Sequence, residues 1–273
     1  MSARFLSTDM SHQADGRLIL DDVTLLAVSS VALDATWRAM RQSVAQIRFG
    51  AALLLSDRPP ADFVESEVIW RQIPRIASRA DYSRFIMAEA SGHVETDFAL
   101  FVQWDGYVLD AANWRDDFLD YDYIGAPWPH FSDGQRVGNG GFSLRSKRLM
   151  HLCGGLALAH GEAEDVAICR RYRGMLEREH EIRFAPEVVA RDFAYERFAS
   201  TGREFGFHGV INLMRQMAPR DFSAMIAGFE PGAIGRLEAR EIFWRALATL
   251  RPDIAWLAAR NRHLAKRGGP RDP

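Results

Sequence analysis

The sequence predicts an α/β fold, a Rossmann-like and mostly parallel sheet flanked by helices, followed by a helical C-terminal extension. Three observations predict it. Apolar runs of strand length alternate with segments of helical period between residue 23 and residue 102. Polar clusters follow the ends of those runs, and beyond Gly209 the pattern is almost wholly helical. Strand, helix and strand within about forty residues make a right-handed crossover unit, which implies parallel strands.

The chain has 273 residues, 48% hydrophobic and 26% charged, enough to bury a full core in one catalytic-sized domain with an appendage. We divide it into a disordered lead-in over residues 1–17, an α/β domain over 18–216 and the helical extension over 217–273. The lead-in is polar, with no apolar stretch to serve as a signal-peptide core. Residues 23–30 form a nearly continuous apolar run, as expected for a strand covered on both faces. Trp37, Met40, Val44 and Ile47 share one face of a helix. Residues 51–55 read as a second buried strand, stopped by Ser56, Asp57, Arg58, Pro59 and Pro60. A short strand over 68–73 precedes a helix over 81–91 that turns Phe85, Ile86 and Ala90 inward. The strand at 98–102 runs straight into Gln103, Trp104, Asp105 and Gly106, at the carboxyl end where open α/β sheets bind ligands. Further along, residues 140–145 read as a strand and 146–160 as a helix. A second helix over 164–177 turns Val166, Cys169 and Leu176 inward. In the extension, Ile242, Phe243, Leu247 and Leu250 either pack on the core or form a partner surface, and residues 266–273 are expected to fray.

A formal net charge of -2 argues against a nucleic-acid binder, which needs a basic surplus on one face at least. Only Cys153 and Cys169 occur, as buried small hydrophobes rather than a disulfide framework, which fits a reducing, cytoplasmic compartment. No apolar run reaches the roughly 18 residues of a membrane span, so contact with a membrane-borne acceptor would be peripheral.

Four clusters carry the chemistry. In the first, strand 98–102 ends on Gln103 and Asp105; Asp105 either caps the turn before Gly106 or offers a carboxylate to a ligand. The second, Gly138-Asn139-Gly140-Gly141, lets backbone approach a ligand closely and differs from both the dinucleotide and the phosphate-loop patterns. The third is Glu164-Asp165 at a helix start, where acids also complement the helix dipole. The fourth is His208 between Gly206 and Gly209, a core histidine or a ligand. Arg84, on the helix before strand 98–102, is either a solvated surface arginine or a partner for phosphate. Among the aromatics of residues 121–128, Trp128 is the candidate for stacking against a sugar.

Taken in order, these clusters resemble GT-A-type glycosyltransferases. The stretch from Val23 to Asn212 is similar to a bacterial family of unknown function with glycosyltransferase-like features. The blocks Gly-Gly-Phe-Ser-Leu-Arg and Glu-Asp-Val resemble fringe-like galactosyltransferases. The resemblance implies a GT-A-like fold and transfer of a sugar from a nucleotide diphosphate sugar to an unidentified acceptor, glycan, lipid-linked or other, with inversion. It makes Asp165 the catalytic base, with Glu164 second, and places Arg84, Gln103, Asp105, Asn139, Gly140 and Gly141 at the donor. A divalent cation, Mn²⁺ or Mg²⁺, would be held by Asp105 and His208. The family's paired carboxylates are incomplete, because Gln103 stands at the first position and brings no charge. Gln103 therefore favours the alternative, a nonenzymatic nucleotide-sugar or carbohydrate-binding protein on the same fold. A nucleotidyltransferase would need a basic, glycine-rich loop after the first strand, and residues 29–35 contain neither glycine nor lysine.

Overall fold

The computed structural model describes residues 13–14, 16–64, 66–229 and 233–268. It is an α/β protein whose central sheet is mostly parallel and flanked by helices. Strands β1 (Gln13–Ala14) and β2 (Arg17–Val28) open the chain, followed by α1 (Leu33–Val44), β3 (Ile47–Ser56) and β4 (Val68–Gln72). Next come α2 (Arg79–Ala88), β5 (Phe98–Val102), β6 (Tyr123–Gly125), β7 (Phe142–Ser146) and α3 (Lys147–Cys153). The remainder of the α/β region is α4 (Glu164–Val166), α5 (Arg173–His180), α6 (Glu187–Phe193), β8 (Ala194–Tyr195), β9 (Gly206–Phe207) and α7 (Val210–Gln216). Helices α8 (Pro219–Ala227), α9 (Arg236–Ala248) and α10 (Pro252–Gly268) complete it.

The sheet runs β4-β3-β2-β5-β7-β6, with β1 beside β2. Pairs β2/β3, β3/β4 and β2/β5 are parallel, whereas β7 lies antiparallel between β5 and β6. From β2 the chain builds outward on one side through β3 and β4, then returns to place β5 on the other. The carboxyl ends of β2 and β5 thus flank a topological switch point, the crevice where open sheets take ligands.

Several elements differ from the sequence expectation. Residues 1–12 and 15 of the expected lead-in lie outside the described residues, but Gln13 and Ala14 pair with Leu18 and Arg17, so ordered chain begins before residue 18. β2 starts six residues earlier than its apolar run because Asp21 and Asp22 face solvent at a register shift between Leu20 and Thr24. Ile47, expected on the inner face of a helix, is the first residue of β3 and is fully buried there. α3 stops at Cys153 because Gly154 and Gly155 follow it, residues that disfavour helix. The helix expected over 164–177 is interrupted by a π-type turn at Ala167–Arg171, a distortion often found beside functional sites. β6, β8, β9 and α6 carry no sequence period, the three strands being too short to show one.

The extension is anchored. Tyr107, Phe207 and Leu213 share a buried cluster with Phe222, Ile242 and Ile254, tying α8–α10 to the strand that precedes His208. Among the described residues no helix is long and apolar enough to cross a membrane.

Candidate active site

The turn after β5 is closed by the Gly106 amide, which donates to the Gln103 carbonyl at 3.2 Å and leaves Asp105 only 5% exposed. A side chain at Gly106 would stand 2.6 Å from the Phe207 carbonyl oxygen, so glycine there lets β9 pass close by. His208 follows β9, with Nε2 3.3 Å from Asp105 Oδ1 and Nδ1 3.7 Å from Glu196 Oε1. Asn212 holds this arrangement from α7: its amide donates to the Glu196 carbonyl at 2.7 Å and the His208 carbonyl at 2.8 Å. Burial works against a charged imidazole, yet Asp105 and then Glu196 outweigh it and hold His208 well above its ordinary range. Burial raises the Glu196 carboxyl, but the charged His208 facing it at 3.7 Å outweighs that cost and holds it below the usual carboxylate range. Asp105 Oδ1 and both ring nitrogens of His208 are nonetheless buried without a well-formed hydrogen bond. Such atoms are rare in native proteins and call for an explanation such as a missing ligand.

The glycine loop touches both this cluster and the acidic pair. Asn139 adopts the left-handed conformation at φ 67°, which asparagine tolerates. Its side-chain oxygen accepts from the Gly141 amide at 3.1 Å, and its carbonyl accepts from the Tyr123 hydroxyl at 3.2 Å. The Gly140 amide donates to Asp165 Oδ2 at 2.9 Å. A Cβ on Gly140 would lie 2.4 Å from Glu164 Oε1, and one on Gly141 only 2.0 Å from His208 Nε2. Two adjacent glycines therefore separate the histidine cluster from the acidic pair, with room for neither to carry a side chain.

Glu164 and Asp165 are neighbours in different surroundings. Glu164 Oε1 pairs with Arg145 Nη2 at 3.2 Å and its Oε2 accepts from Ser83 Oγ at 3.2 Å. Arg145 is 1% exposed, lies 4.4 Å and 5.2 Å from the ring centroids of Phe101 and Tyr123, and donates through Nε to Ser143 Oγ at 3.1 Å. Asp165 accepts from the amides of Gly140 and Val166 and keeps an edge toward solvent. Burial, then the adjacent Glu164 carboxylate, push its pKa up to about 6, near where a general base works best at neutral pH.

Of the residues expected at the site, Asp105, Asn139, Gly140, Gly141, Glu164, Asp165 and His208 converge. Gln103 stands at their border, its side chain beside the buried Tyr82 hydroxyl. Arg84 does not join them: it lies exposed on α2, paired with Asp81. Glu164, expected as the second candidate for the catalytic base, is committed to Arg145 and Ser83. Trp128 is 6% exposed, and a Cβ at Gly138 would lie within 2.1 Å of its ring, so it fills core instead of presenting a stacking face. Arg145, Ser83 and Glu196 went unforeseen. A charged residue inside the fully buried strand β7 was the available sign for Arg145, since it demands a counter-ion. Glu196, after a two-residue strand, offered none.

Residues 66–208 match the family described as "Protein of unknown function (DUF5672)", and the chain belongs to that family. No curated protein matches it significantly. Among solved structures, S. aureus TarS (residues 1–349) is similar at 13% identity and a TM-score of 0.42, over 89% of this chain and 72% of that one. The apo form of the glycosyltransferase GlyE of Streptococcus pneumoniae is similar at 12% identity and a TM-score of 0.40, over 68% of this chain and 53% of that one.

Proposed function

We propose that this chain is a glycosyltransferase that moves a sugar from a nucleotide diphosphate sugar to an acceptor hydroxyl, with inversion, and that it works in the cytoplasm as its two buried free thiols suggest. One observation carries the reading. Four segments distant in sequence meet at the carboxyl edge of the sheet, and there Gly140-Gly141 separate a carboxylate poised at about 6 from a buried, under-bonded aspartate and histidine. That division suits a displacement in which one side takes a proton and the other neutralises a departing diphosphate.

In this account Asp165 accepts the proton of the acceptor hydroxyl as that oxygen bonds to the anomeric carbon. The bond from that carbon to the diphosphate oxygen breaks, and the nucleoside diphosphate leaves with the electron pair. The amides of Gly140 and Val166 aim the carboxylate, while Arg145 and Glu164 fix the loop and helix that carry it. Asp105 Oδ1 and His208 Nε2, buried, under-bonded and 3.3 Å apart, would hold a divalent cation once its arrival displaces the proton that the facing carboxylates keep on His208. Mixed oxygen and nitrogen ligation favours Mn²⁺ over Mg²⁺. When bound, the cation offsets the negative charge of the diphosphate. Among the described residues no group of three or more His, Cys, Asp or Glu could hold a metal, so donor phosphate oxygens must complete the coordination.

Gln103 favours a second reading, a binding protein without turnover, and Asp165 separates the two. Replacing it, Asp165→Asn, is expected to lower release of nucleoside diphosphate from the preferred donor by about 10²–10⁴-fold while donor binding persists. Unchanged turnover would remove Asp165 from the chemistry. No turnover by the native chain on any donor and acceptor of a broad panel, with binding intact, would favour the binding protein.

A further inference from the structure

Glu196 reaches the site through strand register. β8 and β9 run parallel, with Ala194 beside Gly206 and Tyr195 beside Phe207, and the His208 amide donates to the Tyr195 carbonyl at 3.0 Å. Glu196 and His208 are the next residues on the two strands, so their side chains leave on the same face, and Glu196 Oε1 stands 3.7 Å from His208 Nδ1. Asn212 pins both backbones by donating to their carbonyls at 2.7 Å and 2.8 Å. Gly209, at φ 100°, leaves the carboxylate its place, since a Cβ there would stand 3.3 Å from Glu196 Cγ.

The imidazole thus has a carboxylate at each end, Asp105 Oδ1 3.3 Å from Nε2 and Glu196 Oε1 3.7 Å from Nδ1. The two ring nitrogens point away from each other, so a cation on Nε2 and against Asp105 lies on the far side of the ring from Glu196. Glu196 is therefore no third ligand, in keeping with the absence among the described residues of three His, Cys, Asp or Glu able to share a metal. Yet its side chain is only 15% exposed, a costly place for a carboxylate that does nothing for the histidine. Metal-ligating histidines almost always give the other ring N–H to a carboxylate, a carbonyl or water, which sets the tautomer and the direction of the ring.

We propose that Glu196 is a positioning residue, which accepts the Nδ1–H of His208 and so turns Nε2 toward the cation and Asp105. The separation of 3.7 Å is longer than a hydrogen bond, and the contact closes when the cation draws electron density from the ring. Without the carboxylate the ring can flip and present either nitrogen. This role rests on the cation proposed for the transfer reaction, whereas that reading stands without Glu196.

The test is Mn²⁺ binding to the full chain, read by electron paramagnetic resonance in the presence of uridine, guanosine or adenosine diphosphate, for the native protein, Glu196→Ala and Glu196→Gln. The native chain is expected to take Mn²⁺ with one of the three nucleotides, and Glu196→Ala to weaken that binding by about 10–100-fold. Glu196→Gln, whose amide oxygen still accepts from Nδ1 but brings no charge, should weaken it by a smaller factor. A second readout is the nitrogen NMR shifts of His208 with Zn²⁺ in place of Mn²⁺. The native ring should carry its hydrogen on Nδ1 and the metal on Nε2, and Glu196→Ala should show a mixture of the two forms, which lost packing alone would not produce. Unchanged Mn²⁺ affinity in folded Glu196→Ala, or a native ring with its hydrogen on Nε2, would overturn the role of Glu196 and leave the transfer reading intact. Should Glu196→Ala lose its fold, native affinity in Glu196→Gln would overturn it equally. A native chain that takes no Mn²⁺ with any of the three nucleotides would overturn both.

Discussion

The two sides of the glycine loop are built on opposite principles. On one, Arg145, Glu164, Ser83 and Ser143 form a buried polar network in which the charges are paired and the hydroxyls engaged. On the other, Asp105, His208 and Glu196 are drawn together with buried atoms that form no proper hydrogen bond. A closed network fixes geometry, and an open one has bonding capacity left for something that arrives. On the proposed reading the first side is scaffold and the second takes the ligand, with Asp165 at the rim of the scaffold, its pKa pushed up to about 6.

The largest expected effect breaks the closed side. Arg145→Met leaves Glu164 buried without its counter-ion and should cost about 3–5 kcal/mol in denaturant unfolding. Asp105→Asn, on the open side, takes one of two carboxylates from a histidine that Glu196 still faces and should cost less, about 1.5–3 kcal/mol. Equal losses in the two variants would erase the distinction. A middle-sized effect probes the boundary. Gly141→Ala places a methyl 2.0 Å from His208 Nε2, so the imidazole must shift. We expect a loss of about 1–3 kcal/mol from overpacking together with loss of Mn²⁺-dependent nucleoside diphosphate binding, read by calorimetry.

What the sequence disclosed follows the same division. Strand β5 at Phe98–Val102 was legible to the residue, because five consecutive apolar residues between polar ends leave little choice. Asp105, the glycine loop, Asp165 and His208 were legible as separate clusters, because glycine and isolated polar residues at the ends of apolar runs stand out. Their partners were not. Glu196 reaches His208 through the folding back of β8 against β9, a pairing of two residues in each strand that leaves no periodic trace. Arg84 and Trp128 attracted attention for their residue types, but orientation decided their fate: α2 turns Arg84 to solvent, and the bare Cα of Gly138 gives Trp128 a berth in the core. The antiparallel placement of β7 also escaped, since a five-residue buried strand reads the same in either direction.

The smallest effect sharpens the role of Asp165. Its folded pKa is raised from 3.8 to about 6, so the native state holds this proton more tightly than the unfolded chain. Native stability therefore loses this contribution as pH rises from about 4 to about 6 and is flat in this respect above that. Asp165→Asn lacks that dependence, and relative to the native chain it should gain stability across the same window, by about 1 kcal/mol after allowance for the solvent at its edge. Denaturant melts at a series of pH values measure it. A parallel pair of stability curves would place the Asp165 pKa at its ordinary value.

The measurement that bears most directly on the central claim is calorimetric titration of nucleoside diphosphates into the native chain and into His208→Ala, each with Mn²⁺ and with chelator. The account predicts binding of one nucleotide family in Mn²⁺, its loss in chelator, and at least about tenfold weaker binding in the variant, since phosphate oxygens must complete a site the protein only half supplies. Binding of equal strength in chelator, or no binding of any nucleoside diphosphate by the native chain, would contradict it.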